Sequence, residues 1–471
     1  MDSSGALHVV MFPWLAMGHL IPFLELSKRL AQKGHRVSFV STPRNIKRLP
    51  QISPDLSPLI NFVSLPLPHI DTLPENAEAS IDIPAQKSQS LKMAYDGLEA
   101  PLTTFLQNSV PNWIIFDFAA YWLPEVAAKL GVPCVYLSLS NAASLGFMGP
   151  PSSLLGNEET VLTIEDITVS PKWVPFPSCV VFRPHELVKI MEGIGENESG
   201  VSDAQRIGLA IQGSDVVALR TSVDFEPEWI NLLHDLYKKT VIPIGLLPPL
   251  VQDVENEGDA KWVEIKEWLD KHERESIVYV ALGSEAILSR EELNELALGL
   301  EKSKLPFFWV LRKPPGSTVD ESAMLPKGFE DRTRGRGIVY MSWAPQVRIL
   351  AHPSVGGFLT HCGWNSVIEG LGFGRALVLL PVMNEQGLNA RLLEGKKVGL
   401  EIPRNERDGS FTSDSVAESV RVVMVEKEGE PFRTKAKEMK EVFGDRNLND
   451  RYVDGFFRYL EEHRSPDGTS S

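Results

Sequence analysis

The first forty residues constrain the fold more than any other stretch of the chain. Leu7 to Phe12 (LHVVMF) is a short, mostly apolar run that reads as a strand buried on both faces. Beyond Pro13 and a turn ending at Gly18-His19, apolar residues recur at Leu20, Phe23, Leu24 and Leu30-Ala31. That is the period of a helix, and it closes at Lys33-Gly34, a basic last turn followed by a glycine stop. Arg36 to Ser41 (RVSFVS) then reads as a second strand. A helical period between two strands excludes an antiparallel hairpin and leaves a β-α-β unit, whose strands run parallel.

The pattern recurs through the chain. Asn112 to Asp117 reads as a strand ending in an acid, Leu123 to Leu130 as a helix and Pro133 to Leu137 as a strand. Further on, Ser276–Leu282, Phe307–Leu311, Gly337–Met341, Val355–Leu359 and Ala376–Leu380 are short apolar runs, with helical segments such as Arg290–Glu301 between some of them. Strands alternating with helices in both halves predict an α/β protein of two doubly wound domains with parallel sheets. The stretch Pro243 to Asp259 is polar, acidic and without period, as a linker would be. The expected boundaries are therefore 1–245, a linker at 246–259, 260–445, and a terminal segment at 446–471. In that last segment Val453, Phe456, Phe457 and Leu460 sit at helical spacing.

Composition narrows the partners. The formal net charge is −15, which disfavours nonspecific binding of nucleic acid or of an anionic membrane, though not a local site for a small anion. Cys134, Cys179 and Cys362 are odd in number and far apart, so neither a disulfide framework nor a tetrahedral zinc site is expected. The first residues lack a basic stretch before an apolar core, and no run of about 18 apolar residues occurs. The expectation is a cytoplasmic, monomeric protein without a membrane anchor.

In open parallel sheets ligands bind beyond the carboxyl ends of the strands. His361-Cys362-Gly363-Trp364-Asn365-Ser366 follows one such end and opens a helix, whose free N–H groups and positive dipole end suit a phosphate. Glu369, one turn on, shares the face of Asn365 and Ser366 and could grip a ribose diol; equally, Asn365 and Ser366 could cap the helix and Glu369 could be a solvated charge. In the first half, His19 opens a helix and Asp117 ends a strand of the same sheet. They could meet as a base and its orienting acid, or be no more than a helix-end histidine and a cap. Cys362 is not followed six residues later by an arginine, as a phosphatase loop would require; that position is Ile368. No Gly-x-Gly-x-x-Gly follows the first strand, and no Walker A, His-Glu-x-x-His, Gly-x-Ser-x-Gly or Asp-x-Asp is present.

The 44 residues from Trp343 to Gln386 resemble the signature box of the plant secondary-product glycosyltransferases, the family 1 UDP-sugar-dependent enzymes. The matching positions are Trp343, Pro345-Gln346, His352, His361 to Ser366, Glu369, Gly374, Pro381 and Glu385-Gln386, with further likeness at Gly18-His19, Val280 to Ser284 and Leu325 to Phe329. The resemblance implies a GT-B fold: two Rossmann-like domains facing across a cleft, the nucleotide sugar held by the second and the terminal helix crossing back to the first. It implies that Trp343 stacks on uracil with Ala344 and Gln346 beside it, and that Glu369 binds the ribose. Ser284, His361, Gly363, Asn365 and Ser366 would hold the diphosphate, and Trp364, Glu385 and Gln386 the sugar. His19 would be the catalytic base and Asp117 its partner, with no metal and no cofactor beyond the UDP-sugar co-substrate.

Glu385 departs from the commoner Asp, Gln386 usually accompanies glucose donors, and Ala281-Leu282-Gly283-Ser284 replaces the commoner Ser-Phe-Gly-Ser. Phe12 to His19 and Ser41 to Ile46 resemble the branch that often adds a sugar to an existing glycoside. The implied activity is inverting transfer, with UDP-glucose as the expected donor, to a hydroxyl of a small terpenoid or flavonoid or to a sugar already attached to it. The alternatives are simple aglycones with another donor such as UDP-rhamnose, or a non-catalytic nucleotide-sugar binder. Trp14, Phe118, Tyr121, Met148, Arg183 and Leu187 are the expected walls of the acceptor pocket, from position alone.

Overall fold

The computed structural model describes residues 5–156, 166–187, 190, 198–248, 260–312 and 324–464. Its strands, in chain order, are β1 (His8–Phe12), β2 (Arg36–Ser41), β3 (Ile60–Ser64), β4 (Trp113–Phe116), β5 (Cys134–Ser138), β6 (Val216–Leu219), β7 (Thr240–Pro243), β8 (Ile277–Ala281), β9 (Phe307–Val310), β10 (Gly337–Tyr340), β11 (Val355–Thr360), β12 (Ala376–Leu379) and β13 (Gly399–Glu401). Among the described residues they form two wholly parallel sheets. One has seven strands in the order β3-β2-β1-β4-β5-β6-β7 and the other six in the order β10-β9-β8-β11-β12-β13.

These are the two doubly wound units that the alternation of strands and helices predicts. Each strand expected from sequence is present to within one residue at either end. The first helix spans Met17–Gln32 and buries Leu20, Phe23, Leu24, Leu30 and Ala31; Gly34 ends it at φ +88°, a left-handed conformation that glycine adopts without strain. Four strands, β3, β6, β7 and β13, were not anticipated.

Contacts divide the chain into two compact units that differ from the contiguous domains expected. Unit 1 comprises Met1–Thr163, Met191–Leu247 and Asn447–Ser471; unit 2 comprises Ile164–Ile190 and Pro248–Arg446. Of residues 164–190, expected in the first domain, the described ones (166–187 and 190) group with the second. The stretch just before Pro248 is not loose either. Leu246 and Leu247 are buried, the Leu246 N–H donates to Asn449 Oδ1 at 2.7 Å, and Arg220 Nε donates to the Leu246 carbonyl at 2.8 Å. Of the expected linker at 246–259, residues 249–259 lie outside the described residues.

From Asn447 onward the helix Arg446–Glu462 belongs to unit 1, and the four apolar residues at helical spacing explain why. Val453, Phe456, Phe457 and Leu460 are all buried in one core with Val9 and Met11 of β1, Phe39 of β2, Ile115 of β4, and Phe23, Leu24 and Leu30 of the first helix. Trp113 Nε1 donates to the Leu460 carbonyl at 2.9 Å, and Tyr452 Oη donates to Asp224 at 2.7 Å. No helix among the described residues is long and apolar enough to cross a membrane.

Phe456→Ala removes a fully buried ring from this core and should cost about 3–5 kcal/mol. The change Val425→Ala, at a position 58% exposed, should stay within about 0.5 kcal/mol. Denaturant midpoints of the two variants measure the contrast.

Candidate active site

Strand order reverses at one place in each sheet, between β1 and β4 and between β8 and β11. At such a point neighbouring strands lead into connections that diverge, and a crevice opens beyond their carboxyl ends. The candidate residues lie at these two points.

In unit 1, Phe12 at the end of β1 pairs with Phe116 at the end of β4, so the next residues of both strands emerge side by side. Asp117 is the first residue past β4 and is 2% exposed. Its Oδ2 accepts from the Trp14 N–H at 2.9 Å and from His19 Nδ1 at 2.8 Å, and its Oδ1 from the Ala119 N–H at 3.4 Å. Such donors are what a buried carboxylate requires. Because a carboxylate only accepts, Nδ1 of His19 carries the hydrogen, and in the neutral ring Nε2 then holds the lone pair. His19 is the third residue of its helix, and its side chain remains 27% exposed.

An aromatic wall adjoins the pair. Phe118 lies 5.8 Å from the His19 ring and 6.2 Å from Trp14, whose indole meets Tyr95 edge-on at 5.2 Å. Burial, with Asp117 and Asp96 adding to it, pushes the Tyr95 phenol well above its ordinary pKa, so it stays neutral. Tyr121 packs under the Arg206 guanidinium at 4.8 Å, and Met148 ends the helix Ala142–Met148, half-buried. Arg183 and Leu187, expected to line the same pocket, group with unit 2. There Arg183 pairs with Glu401 at 3.2 Å and with Glu406 at 2.8 Å.

In unit 2, Ala281 at the end of β8 pairs with Thr360 at the end of β11. Gly283 and His361-Cys362-Gly363 follow, and two glycines make room for one ring. A Cβ at Gly283 would lie 2.6 Å from His361 Nε2, and one at Gly363 would lie 2.5 Å from it. Nδ1 of His361 is buried and has no hydrogen-bond partner. Burial lowers the pKa of His361 to about 4, so near neutral pH the ring is uncharged. Cys362 takes φ +68°, and the Asn389 side-chain amide donates to its carbonyl at 2.9 Å, which pins the turn. Burial raises the Cys362 thiol far above its ordinary pKa, so it is no nucleophile.

The helix Trp364–Gly372 starts directly after this turn, with Asn365 and Ser366 second and third in it. Gln346 Nε2 donates to Ser366 Oγ at 3.2 Å and to Glu369 Oε2 at 2.6 Å, and its Oε1 accepts from Tyr279 Oη at 3.3 Å. Ser366 and Glu369 thus share a face, and the amide of Gln346 is oriented by partners on both of its ends. Trp343 stands 62% exposed, a flat apolar surface of the kind a base stacks on, while Ala344 is buried and Ser284 exposed. Trp364 is 3% exposed, and its indole meets Phe443 edge-on at 6.1 Å. Gln386 opens the helix Gln386–Gly395, and its Oε1 accepts from the Val382 and Met383 N–H groups at 3.0 Å each. Glu385 is the cap residue before it.

Tyr279, Asn389 and Phe443 support this site and were missed from sequence. A tyrosine inside an otherwise apolar strand was the one available signal for Tyr279. Among the described residues no three His, Cys, Asp or Glu side chains come together as a metal site would need.

Comparison with known proteins gives a consistent result. The family model "UDP-glucoronosyl and UDP-glucosyl transferase" matches residues 242–447, and "Glycosyltransferase, N-terminal domain" matches residues 5–162. The chain is 56% identical to UDP-glycosyltransferase 91C1 of Arabidopsis thaliana, over 98% of this chain and 97% of the relative. It is 43% identical to the soyasaponin III rhamnosyltransferase of Glycine max, over 98% and 96% respectively. A solved structure of Phytolacca americana UGT2, in complex with UDP-2-fluoro-glucose and pterostilbene, superposes with a TM-score of 0.74 at 27% identity, covering 97% of this chain and all of that one.

The neutral His361 has a thermodynamic consequence. An unfolded chain protonates this histidine below about pH 6.5, the folded chain only below about 4. Between those values the unfolded state holds more protons. Stability is therefore complete above about pH 6.5 and falls as pH drops towards 4, by at most about 3 kcal/mol. Burial lowers His8, His35 and His352 as well, which adds in the same direction. Urea midpoints measured across this range should fall with pH, and His361→Gln should flatten the fall.

Proposed function

The chain belongs to plant family 1 of the UDP-dependent glycosyltransferases, and from that premise we propose an inverting reaction in which His19 is the general base. The enzyme is a UDP-glycosyltransferase of GT-B fold acting on plant metabolites, and its family uses the UDP-sugar as co-substrate without a metal.

Nε2 of His19 takes the proton of an acceptor hydroxyl while that oxygen forms a bond to the anomeric carbon. The bond from that carbon to the diphosphate oxygen breaks on the opposite face, and its electron pair leaves with UDP. Asp117 holds the ring in the tautomer that leaves Nε2 able to accept, and then stabilises the imidazolium. The start of the helix Trp364–Gly372, with Asn365, Ser366 and the neutral His361, receives the diphosphate as it gains charge. Trp343 stacks on uracil, the face shared by Gln346 and Glu369 takes the ribose, and Glu385 and Gln386 meet the sugar. The observation that carries this reading is the contact of His19 Nδ1 with the buried Asp117, itself anchored by the Trp14 N–H.

General-base catalysis contributes about 10²–10⁴-fold, or roughly 3–5 kcal/mol of barrier. His19→Ala should lower kcat by that order with the Kd for UDP nearly unchanged. Turnover within a few-fold of the parent would remove His19 from this role.

The donor we propose is UDP-glucose, supported by Gln386, and the acceptor a hydroxyl of a small secondary metabolite or of a sugar attached to one. The relative named for rhamnosyl transfer to a saponin supports a glycoside acceptor, since a saponin already carries sugar. The aromatic wall of Trp14 and Phe118 beside His19 suits an apolar scaffold. Mass spectrometry of products from UDP-glucose, UDP-rhamnose, UDP-xylose and UDP-galactose, each offered flavonoid and terpenoid aglycones and their glucosides, tests both assignments. The expected outcome is hexose added to a glucoside; transfer from UDP-rhamnose alone would reassign the donor.

A further inference from the structure

The described residues of segment 164–190 group with unit 2, where Cys179 and Glu186 lie against the helix Gln386–Gly395. Three contacts on one face of that helix define the fit. At its start, a Cβ on Gly387 would come 2.6 Å from Glu186 Oε2 and would overlap Oε1. One turn on, Arg391 Nη2 pairs with the same Glu186 carboxylate. At its end, Cys179 Sγ would lie 3.1 Å from a Cβ on Gly395, and it donates to the Arg391 carbonyl at 3.5 Å. Positions 387, 391 and 395 recur every four residues, the spacing of one helix face.

Gly387 is informative because its conformation does not require glycine. It sits within the helix and has no positive φ. What it provides is space: the Glu186 carboxylate rests directly on the backbone of the first turn, where a negative charge is favoured by the helix dipole. Glu186 is held in turn by the Arg183 N–H at 2.8 Å and sits in an alternating array with Arg391, Glu401, Arg183 and Glu406. Burial opposes the charge on Arg391, yet the carboxylates of Glu186 and Glu401 hold its pKa above the ordinary value. The two residues directly before Gly387 are Glu385 and Gln386.

We infer that Glu186 is a positioning residue for the donor sugar, pressing on the first turn at Gly387 and setting the pose of Glu385 and Gln386. This rests on the reading that those two residues meet the sugar. A group from the first half of the chain then tunes which UDP-sugars the second unit accepts, without touching the nucleotide.

The experiment measures kcat/KM for UDP-glucose, UDP-galactose, UDP-xylose and UDP-rhamnose, with the Kd of UDP measured separately by calorimetry, in the full-length enzyme and its variants. Glu186→Gln keeps the shape and removes the charge. The double change Glu186→Gln with Arg391→Met leaves no unpaired buried charge, should the single variant fold poorly. The expected result is a shift of about tenfold or more in the ratio of kcat/KM between donors, with UDP affinity within about twofold of the parent. A purely structural role would lower the rates for all donors together; unchanged ratios in the folded variants overturn the inference. Glu385→Ala and Gln386→Ala serve as references. If these also leave the ratios unchanged, the reading that they meet the sugar fails, and the inference with it.

Discussion

Two parallel strands that lie side by side, yet lead into diverging connections, are the constraint on which the rest of the molecule depends. The pairing of Phe12 with Phe116 brings out Trp14, His19 and Asp117 together, and the pairing of Ala281 with Thr360 does the same for Gly283 and His361. In a parallel sheet every strand ends on the same edge, so residues about a hundred positions apart in the chain emerge as neighbours. Within each unit, residues distant in the chain are thus brought together without a long connecting loop. The register of the sheet does it.

The two units handle buried charge in opposite ways. Asp117 is buried and accepts hydrogen bonds from Trp14, His19 and Ala119, the arrangement that offsets the loss of water around a carboxylate. His361 is buried without a partner for Nδ1, and desolvation keeps it uncharged. A diphosphate received there would be met by neutral donors and a helix start rather than by a cluster of cations. That is compatible with a chain whose net charge is −15. Where groups must approach closely, glycine supplies the space. Gly283 and Gly363 flank His361, and Gly387 lies under Glu186.

Much of the fold was legible because its signals are local. The helix Leu123–Leu130 and the strand Arg36–Ser41 lie where composition and period put them, and the four buried residues of the last helix are those the spacing picks out. Other placements depend on contacts that are not local. Arg183, within the stretch 1–245 read as the first domain, groups with the second unit and pairs with Glu401 and Glu406. Trp364, expected at the sugar, buries its large apolar ring against Phe443 at the first position of its helix. Neither outcome is encoded near the residue concerned.

By itself the sequence determined the alternation of strand and helix, hence parallel sheets, and marked His19, Asp117 and the Trp343–Gln386 box as places where chemistry could sit. Periodicity and turn chemistry act over a few residues, and those are properties a sequence displays directly. Only the tertiary structure decided that residues 166–187 group with the second unit, that Glu186 lies on Gly387, and that His361 is held neutral between two glycines. Those outcomes come from burial and from close approach between residues distant in the chain. Desolvation and steric fit exist only once the surrounding atoms are in place.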